Sequence, residues 1–185
     1  MKASRTPSTI SAGSMADIAF LLLLFFLASS TISQEKGIVR KLPDDCKTKD
    51  CSTKIAERNM LRIHINASGE YMLNQEVLAL SDIKSAVTEF IDNNGNGSCS
   101  YCEGKQLPTA SVHPSKAVIS LSSHRNTPYS SFIAVQDELT KAYKSLRLRY
   151  ASQKFGKAID ALTEQDLIDT QKAYPFIVSE ATVAD

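Results

Sequence analysis

Between Ser14 and Ala28 the chain runs Ser-Met-Ala-Asp-Ile-Ala-Phe-Leu-Leu-Leu-Leu-Phe-Phe-Leu-Ala, the one stretch apolar enough to enter a bilayer. It carries a single carboxylate, Asp17. From about residue 36 onward the sequence is polar, cysteine-bearing and soluble in character. A run of this kind demands a helix, because in lipid the backbone must satisfy its own hydrogen bonds.

Length decides where the acid sits. A helix beginning at Asp17 leaves Ile18 to Ile32, about 22 Å, which is short of the roughly 30 Å hydrocarbon core. Beginning at Ile10 and passing through Ser11, Ala12, Gly13 and Ser14, it reaches about 34 Å and puts Asp17 about 10 Å inside. An Asp within a span costs roughly 2.5 to 3.5 kcal/mol on insertion scales and normally faces protein or water. The expected span is 13–33, with Asp17 its functional acid. Two plainer roles compete. Asp17 can cap the helix at the membrane surface, or residues 1–30 can be a cleaved signal peptide with Lys2 and Arg5 as its n-region and Ala28-Ser29-Ser30 as its small-residue site. An Asp abutting the apolar core of a signal peptide argues against the latter.

Helical spacing places Ser14, Leu21, Leu24, Ala28 and Thr31 on the same face as Asp17. Small and hydroxyl side chains at both ends of that stripe permit close approach of another helix.

Composition bounds the remainder. In 185 residues, 43% are hydrophobic, 22% are charged and the net charge is +1. That allows one modest domain after the helix and gives no electrostatic reason to bind nucleic acid. No Gly-rich phosphate loop, Gly-x-Ser-x-Gly or His-Glu-x-x-His motif occurs, so neither an enzyme nor a cofactor is expected. Lys36, Arg40 and Lys41 after the span slightly outweigh Lys2 and Arg5 before it, so charge alone does not orient the helix.

The cysteines argue more clearly. All four follow the helix, as Cys46-x4-Cys51 and Cys99-x2-Cys102. An even number in two short-range pairs fits disulfides in an oxidising compartment, with local pairing preferred to cross-pairing. A four-cysteine metal site is the alternative; the first spacing is loose, and His64, His113 and His124 lie far apart, so no metal is expected.

Residues 34–59 are charge-dense with little periodicity and read as a linker. Folded sequence begins near Met60, where Leu61, Ile63 and Ile65 alternate with Arg62 and His64 as a strand. Ala67-Ser68-Gly69 turns the chain, and Glu70–Leu73 can return as a hairpin partner. Ser81 looks like an N-cap for a helix with Ile83, Val87, Phe90 and Ile91 on its buried stripe, stopping at Asn93-Asn94-Gly95. A loop over 94–114 holds the second cysteine pair. Lys116–Leu121 reads as a central strand. Pro128 can start a helix carrying Phe132, Val135, Gln136, Leu139, Ala142, Tyr143 and Leu146 at helical spacing. Residues 146–150 also alternate like a strand, and helix is preferred because no turn precedes them. A polar insert follows with a helix over Thr163–Ala173, capped by Thr163, leaving Phe176-Ile177-Val178 for a terminal strand. The expected class is α+β: one transmembrane helix, then a mixed sheet packed by helices.

Met15-Ala16-Asp17-Ile18-Ala19-Phe20-Leu21-Leu22-Leu23-Leu24-Phe25-Phe26 resembles the membrane signature of the ExbD/TolR family, an Asp followed by an aliphatic, Phe-rich run. Leu42-Pro43 resembles a step before that family's folded domain, and Ser123–Val135, with Tyr129, resembles the family's entry into a helix after its second main strand. The C-terminal third departs from compact members. The resemblance implies a cytoplasmic tail at 1–12, an inner-membrane span and a periplasmic domain over 60–185. It further implies a homodimer in a pentameric ExbB-like or TolQ-like ring, with Ser14, Leu21, Leu24, Ala28 and Thr31 facing that ring and Asp17 carrying protons. The soluble partner it implies is a TonB-like or TolA-like protein. As an alternative, it implies a secreted or anchored periplasmic adaptor of TolR type that acts in envelope integrity and can contact peptidoglycan.

Overall fold

The computed structural model describes residues 11–29, 55–157 and 161–182. Its first element, α1, spans Ala12–Ser29 and buries none of its residues. It starts one residue before the expected boundary; positions 30–33, the rest of the expected span, lie outside the described residues, as does most of the linker. Every large apolar side chain from Met15 to Leu27 is 41–71% exposed. In water such a surface is unsustainable; it calls for lipid or another protein around it. α1 belongs to one unit of the chain and all later elements to a second.

The second unit is built on a mixed five-stranded sheet. Strand β1 (Met60–Ile65) pairs antiparallel with β2 (Tyr71–Leu73), which pairs antiparallel with β3 (Glu76–Leu78). On its other side β1 runs parallel to β4 (Val118–Ser123), which in turn lies parallel to β5 (Val178–Thr182). The order is β3-β2-β1-β4-β5. Parallel neighbours need long crossovers, and helices α2 (Leu80–Ile91) and α3 (Tyr129–Phe155) lie in them. The alternation of β1 sets the layers. Leu61, Ile63 and Ile65 join Ile119 and Leu121, and meet Ile83, Val87 and Ile91 of α2 and Val135, Leu139 and Leu146 of α3 in one core. The class is α+β.

Local chemistry explains where expectation and structure part. The predicted hairpin gains a third strand, because Asn74 and Gln75 turn the chain with φ of 46° and 81°. Two left-handed residues make the tight turn that matches strand twist, and Asn-Gln lacks the glycine that usually signals it. Ser81 is not the cap of α2: the helix starts at Leu80 after Ala79, and the Ser81 hydroxyl donates to Asp82 Oδ1 at 3.1 Å. Helix α3 continues straight through 146–150 and stops at Gly156, whose φ of 62° suits a residue without Cβ. Helix α4 (Glu164–Ala173) carries the expected cap, with Thr163 and Asp166 bonding each other's backbone reciprocally. The terminal strand starts at Val178, later than the sequence implied. Phe176 instead lays its ring against Tyr143, with centroids 4.6 Å apart.

Candidate functional site

Because α1 starts at Ala12, Asp17 stands inside the helix, with no acid in its first turn. The backbone of Ser11 already accepts the Met15 amide at 3.3 Å. Asp17 is therefore not a cap. Ser14, Leu21, Leu24 and Ala28 share its face to within about 60° of helix rotation, whereas Thr31 lies outside the described residues. Asp17 is exposed, as are all its neighbours on α1. A single carboxyl group on an otherwise apolar, uncovered helix has few uses. It can take up and release a proton, or accept hydrogen bonds from a surrounding protein. By length and composition α1 is the one described helix able to cross a membrane.

A second polar centre lies in the sheet-bearing unit, where α2 ends. Three successive buried residues, Asp92, Asn93 and Asn94, organise the loop that follows. Asn93 donates to the carbonyls of Leu107 and Ser111 at 2.9 and 3.0 Å, and accepts from the Leu107 amide at 2.7 Å. Asn94 brackets Cys99, accepting its amide and donating to its carbonyl, both at 3.0 Å. Cys99 and Cys102 are joined as a disulfide with Cα atoms 5.5 Å apart. Cys46 and Cys51 lie outside the described residues.

Asp92 gathers the rest. Its carboxylate accepts from the Tyr174 hydroxyl at 2.6 Å, the Arg149 guanidinium at 2.5 Å and the Glu103 amide at 3.1 Å. Burial, and then the bond to Asp92, push the Tyr174 phenol well above its usual range. Arg147 donates twice to the Tyr174 carbonyl, at 3.0 and 2.8 Å. Thus α2, the cysteine loop, α3 and the segment after α4 converge on one buried carboxylate. Farther along α3, Tyr143 is pushed up to about 12, chiefly by burial. His113 is held below its ordinary value by burial and by Lys116.

The sheet face away from the helices is open and mixed. Met60, Arg62, His64, Met72 and Ser122 line a shallow depression of about 390 Å³. Arg62 is paired there with Glu57 at 2.8 Å, and His64 Nδ1 meets the Ser122 hydroxyl at 3.0 Å. Among the described residues no His, Cys, Asp or Glu cluster is arranged to hold a metal ion.

Sequence reasoning passed over Asp92, Arg149 and Tyr174. Asp92 and Tyr174 belong to no motif or periodic stripe, and Arg149 falls only within the alternating stretch 146–150. The one available signal was three amide or acid side chains in a row directly after an apolar stripe. Against known proteins, the chain matches the family model described as "Biopolymer transport protein ExbD/TolR" over residues 4–153. No curated protein matches it. The matched range takes in α1, β1 to β4, α2 and most of α3; α4 and β5 fall beyond it.

Proposed function

This chain belongs to the ExbD/TolR family of biopolymer transport proteins, and from that premise we propose that it is the proton-carrying subunit of an inner-membrane motor. In this reading α1 crosses the membrane with residues 1–12 in the cytoplasm and the sheet domain in the periplasm. Two copies stand within an ExbB-like or TolQ-like pentameric ring, with Ser14, Leu21, Leu24, Ala28 and Thr31 toward that ring. The soluble domain passes the resulting motion to a TonB-like or TolA-like partner.

The observation that carries this reading is Asp17 inside an apolar helix none of whose side chains is buried among the described residues. A carboxyl group in hydrocarbon keeps its proton, and releases it when water or a hydroxyl reaches it. Such a group can load from one side and unload to the other. Each charge moved across 100 mV makes about 2.3 kcal/mol available, enough to bias a conformational cycle. The Cys99–Cys102 disulfide supports the periplasmic placement of the domain, since disulfides persist in oxidising compartments.

Complementation of a strain lacking the native gene tests the proposal, with membrane levels followed by immunoblot. Asp17→Asn keeps the shape and removes the titrating proton. Expression, insertion and ring binding should survive, while energy-dependent work is lost; Asp17→Glu should retain part of it. Normal function of Asp17→Asn would eliminate proton carriage by this residue.

A further inference from the structure

A disulfide in a short Cys-x-x-Cys loop can brace a fold, or it can be a place where thiols exchange. Burial distinguishes the two sulfurs here. Cys99 is 4% exposed and bracketed by Asn94. Cys102 is only half-buried and lies in the wall of an open depression of about 640 Å³, beside Tyr150, Gln153 and Lys154 of α3. Residues on both sides of the pair are anchored: Asn94 holds Cys99, and Asp92 accepts the amides of Glu103 and Gly104.

Between the cysteines stands Tyr101. Its hydroxyl donates to the carbonyl of Ala173, the last residue of α4, at 3.0 Å. Its ring packs edge-on against Tyr150 and Tyr174, with centroids 4.9 and 5.4 Å away. Tyr174 leads directly into Phe176 and β5, so the residue inside the disulfide ring is also the one that clasps the C-terminal segment. Burial, first of all, raises the Tyr101 phenol, so its donor proton is retained across the ordinary pH range.

We propose that Cys99–Cys102 is a thiol-exchange site for a protein dithiol, entered at Cys102, and that its oxidation state sets how firmly Tyr101 holds α4 and β5. The incoming thiolate attacks Cys102 Sγ, forming a mixed disulfide and expelling Cys99 as thiolate. The second thiol of the dithiol then attacks its own sulfur in that bond and frees Cys102. The disulfide gains two electrons and two protons, and the dithiol becomes a disulfide. Lys154 lines the same depression, its ammonium 5.3 Å from the Tyr150 ring centroid and paired with Asp169 at 3.3 Å. With the ring opened, Tyr101 samples more backbone conformations and its clasp on Ala173 weakens. Because β5 is the outer strand beside β4, loosening it uncovers a strand edge. None of this depends on proton carriage by Asp17.

Full-length protein in detergent, treated with reduced thioredoxin, provides the test. A thioredoxin variant lacking its resolving cysteine should be trapped on Cys102 at least tenfold more than on Cys99, as read by peptide mass spectrometry. Hydrogen exchange over residues 164–182 should quicken about tenfold on reduction, with β1 and α2 unchanged. Tyr101→Ala, kept oxidised, should reproduce that quickening, and Tyr101→Phe should fall between. Failure to trap an adduct, or trapping mainly on Cys99, would overturn the exchange site. Unchanged exchange on reduction, or a rise spread evenly over the domain, would overturn the clasp. If Tyr101→Ala does not fold, reduction of the wild-type protein decides alone.

Discussion

Removing the Asp92 carboxylate should cost more than any other single polar change in the sheet domain. Its side chain is 6% exposed and faces the guanidinium of Arg149, which is 31% exposed. Breaking a buried ion pair from one side costs about 3 to 5 kcal/mol when the stranded charge has no recourse. Arg149 keeps some access to water and a second carboxylate, Glu103, at 3.4 Å, so its share is smaller. Tyr174, with none of its surface exposed, is left with a hydroxyl bereft of its acceptor, worth about 1 to 3 kcal/mol. Together these put Asp92→Leu at about 3 to 4 kcal/mol. Tyr174→Phe removes one donor and leaves the carboxylate two others, so about 1 to 1.5 kcal/mol is expected. The double variant should cost about 1 kcal/mol less than the sum, since the Tyr–Asp bond is counted in both single changes. Urea unfolding of the full chain in detergent can be followed by far-ultraviolet circular dichroism and tyrosine fluorescence, since the chain has six Tyr and no Trp. The Tyr174 phenol is raised in the fold. Its contribution is therefore fully present below the unfolded value of about 10 and is lost as pH climbs beyond it; Tyr174→Phe should flatten that alkaline limb. An Asp92→Leu protein within 1 kcal/mol of wild type, or strictly additive costs, would refute convergence on Asp92.

Two further outcomes follow from the same region. A Cβ on Gly104 would lie 2.3 Å from both Asn93 Cα and the Asp92 carbonyl oxygen, backbone atoms that cannot rotate away, so Gly104→Ala should lose about 2 to 3 kcal/mol, measured by the same urea titration. His113 Nδ1 accepts the Ser115 amide at 3.1 Å, which requires that nitrogen to be unprotonated. With its value lowered in the fold, its contribution is present above the unfolded value of about 6.5 and lost as pH falls below it. The melting temperature should drop between pH 7.5 and 5, less so in His113→Asn, and an identical acid slope in both proteins would rule His113 out.

Much of the architecture was legible because it rests on local periodicity. The apolar run around Asp17 announces its helix, since no other folding unit absorbs so many consecutive Leu and Phe side chains. The alternation of Leu61, Ile63 and Ile65 and the stripe of Ile83, Val87, Phe90 and Ile91 likewise announce the two layers of the sheet domain. Thr163 with Asp166 announces a helix start from four residues. Each signal is short in sequence and needs no distant partner.

What only the tertiary structure decided depends on long-range pairing. β3 exists because Asn74 and Gln75 accept left-handed backbone, stabilised by the amide of Arg62 donating to the Asn74 side chain at 3.1 Å. β5 forms at Val178–Thr182 because its backbone finds the open edge of β4, about sixty residues earlier. Asp92 and Tyr174 are 82 positions apart, and their bond leaves no pattern in the chain. The reason is physical. A buried polar network obtains its stability from donors and acceptors brought within 3 Å by folding of the whole domain, and sequence spacing carries no record of that distance. Asp17 is the converse case: α1 buries none of its residues, and on the proposed reading lipid and partner helices set its surroundings, so the sequence already says nearly all that one chain can say about it.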